Sequence, residues 1–248
     1  MRRLAAAALA MVVVAAGCGG GDDDGTVTVS AAASLKTALT EYGESFDGAA
    51  VRLSFAGSDE LAAQIRKGVR PDVFAAANTK LPDALYDEGL VEKPVAFAGN
   101  RLVIAVPARS DIRTVDDLAR RGVKLAIGSA SVPVGEYTRT VVARLGAARG
   151  DAILANVRSE EPDVKGVVGK VDQGAVDAGF VYVTDVTASG GELKAIPLPA
   201  DLQPDVSYGA AVVSGAKNPE GARAFIDGLL RGDGARALRN SGFKPPPG

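Results

Sequence analysis

Four short segments hold the side chains best placed to do chemistry: SAAASL (30–35), FAGSDEL (55–61), SASVPVGEY (129–137) and VYVTD (181–185). All are rich in small and hydroxyl residues and poor in positive charge. Ser34 follows three alanines, and Ser58 stands between Gly57 and the acids Asp59 and Glu60. Each serine reads first as a helix N-cap, a position serine favours. That position also stands among backbone N–H groups without helical partners. Together with the helix dipole they form a ready anion site. A cap and a ligand donor are both open readings for Ser34 and Ser58. Tyr182 reads as a half-buried tyrosine on the core, with a phenol that a ligand could use. Val134 and Val164 open helices, and only their first-turn N–H groups offer chemistry.

The chain has no His, which excludes His-based catalysis and His metal sites. It has no G-x-S-x-G elbow, and no S-x-x-K pair near the two serines. Lys36 lies two residues after Ser34, a spacing that points the two side chains apart on a helix. A serine hydrolase is therefore disfavoured, and no enzyme is expected. A formal net charge of −2 and the absence of Trp exclude an obvious nucleic-acid surface.

These segments must be positioned by strands and helices. TVTVS (26–30), VRLSF (51–55), DVFAAA (72–77), RLVIAVP (101–107), KLAIG (124–128), DAGFVYVTD (177–185) and SYGAAVV (207–213) read as strands. Helical spacing lies between them, as in Val164, Val167, Val168 and Val171 at i, i+3, i+4, i+7. Thr114 and Asp117 have the spacing of a capping box. Pro133 sits where a first helical turn tolerates it. Strands alternating with helices predict an α/β fold with mainly parallel sheets. The strand count suits two lobes, with the chain passing between them near RLVIAVP and SYGAAVV. In such sheets, ligands lie beyond the carboxyl ends of strands, beside helix N-termini. All four candidate segments fall there.

The N-terminus MRRLAAAALAMVVVAAGC has the layout of a signal segment: a basic start, an apolar run and small residues before a cysteine. AAGC resembles a bacterial lipobox, which implies that residues 1–17 are removed and that Cys18 is lipidated. Residues 18–25 would then form a flexible tether to the outer face of the cell membrane. Cys18 is the only cysteine, so no internal disulfide is expected.

SAAASL, FAGSDELAAQI, GVRPDVFAAAN, GNRLVIAVP, SVPVGEY and DVKGVVGKVDQGAVDAGFVYVTD together resemble the molybdate-binding proteins of bacterial ABC transporters. The resemblance implies an α/β, type II periplasmic-binding-protein fold. Two lobes joined by two crossing strands would enclose a ligand cleft. It places lobe 1 at 26–104 plus 208–248 and lobe 2 at 105–207. It implies that Ser34 and Ser58 donate hydroxyl and backbone N–H, Val134 and Val164 their N–H groups, and Tyr182 its phenol. The implied ligand is molybdate or tungstate, with molybdenum held only as the oxyanion and no cofactor. The implied partner is a membrane permease, served by a monomer. A receptor for sulfate or phosphate is the alternative, and a structural lipoprotein a weaker one. Asp59 and Glu60 depart from the family pattern and are expected to face away from the ligand. Asn78 stands where an acid is frequent and is given no role.

Overall fold

The computed structural model describes residues 25–246. The signal segment, Cys18 and nearly all of the tether lie outside the described residues. Among the described residues, ten strands form two five-stranded sheets, with nine α-helices packed around them. The first sheet has the order β2-β1-β3-β10-β4. Its strands are β1 (Thr26–Ala32), β2 (Ala50–Ala56), β3 (Val73–Ala76), β4 (Val95–Asn100) and β10 (Val206–Val212). The second has the order β7-β6-β8-β5-β9. Its strands are β5 (Leu102–Pro107), β6 (Leu125–Gly128), β7 (Val157–Glu161), β8 (Ala178–Tyr182) and β9 (Leu193–Pro197). Helices α1 (Lys36–Ser45), α2 (Ser58–Arg66), α3 (Lys80–Asp87), α8 (Pro219–Arg231) and α9 (Asp233–Asn240) are built on the first sheet. Helices α4 (Pro133–Arg144), α5 (Ala147–Leu154), α6 (Val164–Asp172) and α7 (Val183–Thr187) belong to the second.

The sheets are mixed, not simply parallel. β10 runs antiparallel to β3 and β4, and β5 antiparallel to β8 and β9. The reason is the path of the chain. β5 and β10 are the first strands after a crossing from the other sheet. Each starts at the end where its neighbours finish: Leu102 pairs with Tyr182, and Gly209 with Ala76. The first crossing runs from Asn100 to Leu102, so Leu102–Ile104 pair in the second sheet and not in the first. The second crossing lies between Pro197 and Val206.

The central strands are apolar because both faces are covered. β3 reads VFAA with every residue buried, and β6 and β8 are buried throughout. Asp72, 1 % exposed, ties the first sheet at its far end. It accepts Thr28 N–H at 2.7 Å, Thr28 Oγ1–H at 2.6 Å and Asn218 N–H at 2.8 Å. Burial opposes its charge, but these donors outweigh it and hold its carboxyl below the usual range. The edge strand β4 is covered by the tail, where Gly99 and Lys244 exchange backbone bonds of 2.8 and 2.9 Å. Among the described residues, no helix is long and apolar enough to cross a membrane.

The two sheets face each other with their helix starts. At the rim, Lys80 of α3 pairs with Glu136 of α4 at 2.6 Å. At the floor, Asn100 Nδ2 donates to Thr184 Oγ1 at 3.0 Å, and Tyr208 packs edge-on to Tyr182, centroids 5.9 Å apart. These contacts join the first lobe to the second.

Candidate functional site

Between the lobes lies a small cavity of about 20 Å3. On that scale one water needs roughly 10–15 Å3. The space suits one compact ion and is far too small for a sugar or a peptide. Ser34, Ser58, Val134, Val164 and Tyr182 all line it. Sequence reasoning chose these five from four scattered segments and α6, and the fold brings them together. The remaining wall is mostly small, with Ala33, Gly57, Ala77 and Pro133 part of it; Asp163 is its one charged residue, and no Lys or Arg lines it.

Three helices start at the cavity. Gly57 precedes α2, Val132 precedes α4 and Asp163 precedes α6. In α2 the first intrahelical bond is Leu61 N–H to Gly57 O at 3.0 Å, so the Ser58, Asp59 and Glu60 N–H groups come before it. In α4 it is Glu136 N–H to Val132 O at 2.9 Å, which leaves Val134 and Gly135; Pro133 has no N–H. In α6 the Asp163 carboxylate accepts Gly166 N–H at 2.9 Å, leaving Val164 and Lys165. The positive ends of three helix dipoles thus meet at one point. VPVGEY needs its glycine for this. A Cβ at Gly135 would lie 1.9 Å from Ser129 O and 2.4 Å from Gly128 O. Only glycine lets α4 start so close to the end of β6.

Neither serine is a cap. Gly57 takes the N-cap of α2, and Ser58 is its first helical residue. The Ser58 Oγ instead accepts Ala77 N–H, 3.1 Å away at the end of β3. Ser34 lies in a 3-10 turn (Ala33–Leu35) ahead of α1, and its Oγ accepts the Tyr208 hydroxyl at 3.0 Å. Each oxygen is used as an acceptor by the protein, and each hydroxyl proton is left over.

Tyr182 is fully buried, not half-buried, at 1 % exposure. Its Oη has no hydrogen-bond partner. Burial first, and then the nearby Tyr208, push its phenol well above the ordinary tyrosine value, so it stays protonated. VYVTD is not strand throughout: β8 ends at Tyr182 and α7 begins at Val183. Asp185 accepts Tyr182 N–H at 3.2 Å and pairs with Lys165 Nζ at 2.8 Å, which fixes the strand end. Burial raises the Asp185 carboxyl against the pull of that ammonium.

The two acids after Ser58 part ways. Glu60 is exposed and accepts Gln64 Nε2–H at 3.1 Å. Asp59 does not line the cavity, yet its Oδ1 is buried and unpartnered. It lies 2.9 Å from where a Cβ on Gly57 would stand, in a place where Pro162 O of the second lobe is 2.4 Å from the same point. Asp59 thus turns towards the seam between the lobes instead of into solvent. Asn78 acts locally: its Oδ1 accepts Leu81 N–H at 3.1 Å at the start of α3. Among the described residues, no group of three or more His, Cys, Asp or Glu could hold a metal ion.

Residues 27–244 match the family model for bacterial extracellular solute-binding proteins. The chain is 36% identical over 228 residues to the molybdate-binding protein ModA of Mycobacterium tuberculosis, covering 89% of this chain and 85% of that one. It is 32% identical over 230 residues to the Escherichia coli protein of the same name, covering 88% of each. The periplasmic molybdate-binding protein of Azotobacter vinelandii superposes with a TM-score of 0.78 at 21% identity, over 89% of this chain and 100% of that one. The sulfate-binding protein SubI of Mycobacterium tuberculosis superposes as well, at 0.79 and 18% identity, over 89% and 86%. The superpositions give the fold and do not choose a ligand, whereas the two sequence relatives named above are both molybdate-binding proteins. This chain belongs to the bacterial extracellular solute-binding proteins, in the family of the molybdate-binding proteins.

Proposed function

We propose that the protein captures molybdate, and tungstate with it, outside the cytoplasm and delivers it to an ABC transporter permease. One observation carries the reading: a cavity of about 20 Å3 that gathers hydroxyls and first-turn N–H groups with no cation in its wall, its one acid, Asp163, being turned to the Gly166 N–H as the α6 cap. Ser34 and Ser58 supply hydroxyl and N–H, Val134 and Val164 supply N–H, and Tyr182 supplies the phenol. The lobes close on the ion and open to release it. A wall of donors favours an anion that carries no proton. Hydrogen phosphate brings an O–H that finds no acceptor, and burying it unpaired costs about 1–3 kcal/mol. Sulfate has the right charge, so size must exclude it, and sulfate is the second reading because the same donors would serve it. Lipidation of Cys18 would hold a monomer at the membrane surface beside its permease, and mass spectrometry of the membrane-bound protein tests that anchor.

The test of the ligand is thermal unfolding of the purified protein with molybdate, tungstate, sulfate or phosphate. At a hundredfold excess over Kd, a ligand of the folded state adds about 2.7 kcal/mol. In a chain of this size that raises Tm by roughly 5–10 °C. Molybdate and tungstate should do so, and phosphate should not. Stabilisation by sulfate alone selects the second reading.

A further inference from the structure

Tyr208 does not line the cavity, but it touches two residues that do, Ser34 and Tyr182. It lies on β10, is fully buried, and donates its hydroxyl to Ser34 Oγ at 3.0 Å. Its own oxygen is approached by Asn100 Nδ2 at 3.4 Å. The direction of the Asn100 amide is fixed from the other side, since its Oδ1 accepts Arg101 N–H at 2.8 Å. Its Nδ2 also donates to Thr184 Oγ1 at 3.0 Å. The hydrogen bonds therefore run one way, from amide to phenol to serine. The Tyr208 proton has Ser34 Oγ as its acceptor, so Ser34 cannot also give its proton to Tyr208 without stranding a buried O–H. The ring is held in place by Tyr182, Phe97 and Phe243, each packed edge-on with centroids 5.3–6.2 Å away. The other serine is treated alike, with Ala77 N–H occupying Ser58 Oγ.

We propose that Tyr208, held by Asn100, is a positioning residue that sets ligand specificity by occupying the acceptor side of Ser34 and turning its proton into the cavity. This rests on the oxyanion reading of the cavity and deepens it. A serine hydroxyl can accept as well as donate. An unrestrained Ser34 would rotate and accept the O–H of a protonated anion. Tyr208 removes that freedom and leaves Ser34, like Ser58, a donor to the cavity. Phosphate is then refused through a residue that never meets it.

The experiment is calorimetric titration of the wild type, Tyr208→Phe, Asn100→Asp, Ser34→Ala and the Tyr208→Phe/Ser34→Ala double variant. The probes are molybdate, sulfate and inorganic phosphate between pH 6 and 8.5. In Tyr208→Phe the preference for the unprotonated anion over hydrogen phosphate should fall by about tenfold, the order of one hydrogen bond. The loss should be largest at the acid end, where phosphate is more protonated. Asn100→Asp keeps the phenol but offers it an acceptor, so it should show the same loss even if Tyr208→Phe folds poorly. Without Ser34 the Tyr208→Phe change should no longer alter the preference. An equal weakening of all anions in Tyr208→Phe and Asn100→Asp would reduce Tyr208 to packing and overturn the inference. If the wild type prefers sulfate, the molybdate reading fails while the Tyr208 effect is still measured against phosphate. A wild type that binds none of the three overturns both.

Discussion

The Tyr182 Oη is buried without a partner, so removing it acts differently on the empty and the loaded protein. In the empty protein a stranded hydroxyl is lost, and Tyr182→Phe should unfold no more easily than the wild type, or be stabilised by about 1 kcal/mol. With molybdate a donor is lost, and affinity should fall about tenfold. Denaturant melts and titrations on one preparation separate the two, and a matched loss in both would mean that the hydroxyl is partnered when empty. Asp59 supports the opposite change. Its Oδ1 is buried unpartnered beside Gly57, at the seam between the lobes. Asp59→Asn removes a charge next to an anion site and offers an N–H, so molybdate should bind several-fold tighter; weaker binding would show that the carboxylate helps closure. At this scale the sequence was partly legible. The five cavity residues were recoverable through the family resemblance; small-residue turns marked the strand-to-helix junctions, but residue type alone left the serines as caps, Tyr182 as core and the two valines without a role. The caps were misread because the partners of the two serines are tertiary: Ala77 is 19 residues from Ser58, and Tyr208 is 174 from Ser34. No local pattern encodes such pairs.

The elements that deliver the donors are short helices aimed by tight junctions. Gly135→Ala should test this most sharply. The added methyl meets backbone oxygens that belong to the end of β6 and cannot rotate away. The start of α4 must shift, with a loss of about 3 kcal/mol and of most molybdate affinity; unchanged binding would separate the Val134 N–H from the ligand. Gly169→Ala, which has no atom closer than 3.9 Å, is the control and should be neutral or stabilising. Elements were legible in proportion to their burial. The central strands β1, β3, β6 and β8 stood out as apolar runs. β4, β7 and β9 were not read from sequence, and all three are sheet edges. VRSEE in β7 alternates half-buried with exposed residues, so it carries no apolar run to find. α5 was missed for a similar reason, as AARGDAIL buries only Gly150 and Ile153. The Thr114–Asp117 pair was read correctly, with the Asp117 carboxylate accepting Thr114 N–H at 2.9 Å, but it opens a 3-10 turn and not an α-helix.

Across the whole molecule, stability and binding are carried by different places. Asp72 sits at the end of the first sheet away from the cavity, and its depressed pKa makes it an acid-sensitive anchor. Its contribution is present above the unfolded aspartate value of about 3.9 and is lost as pH falls through the lower folded value. Asp72→Asn should therefore destabilise at neutral pH by about 2–3 kcal/mol, and lose less than the wild type between about pH 4 and pH 2. Urea melts across that range give the comparison, and parallel curves would acquit Asp72. The division into lobes was legible from strand count and from the resemblance. The mixed sheets were not, because strand direction follows from where the chain re-enters a sheet and not from composition. One contact described above reaches beyond the molecule. Lys80 and Glu136 join the lobes across the rim, with Lys80 largely in solvent. An exposed pair of this kind is worth about 0.2–1 kcal/mol, and salt screens it within a Debye length of roughly 8–10 Å. A protein working outside the cytoplasm meets whatever water surrounds the cell. Fresh water should then prolong its grip on the ion and brine should shorten it, by up to about fivefold in release rate, a dependence that Lys80→Gln should abolish.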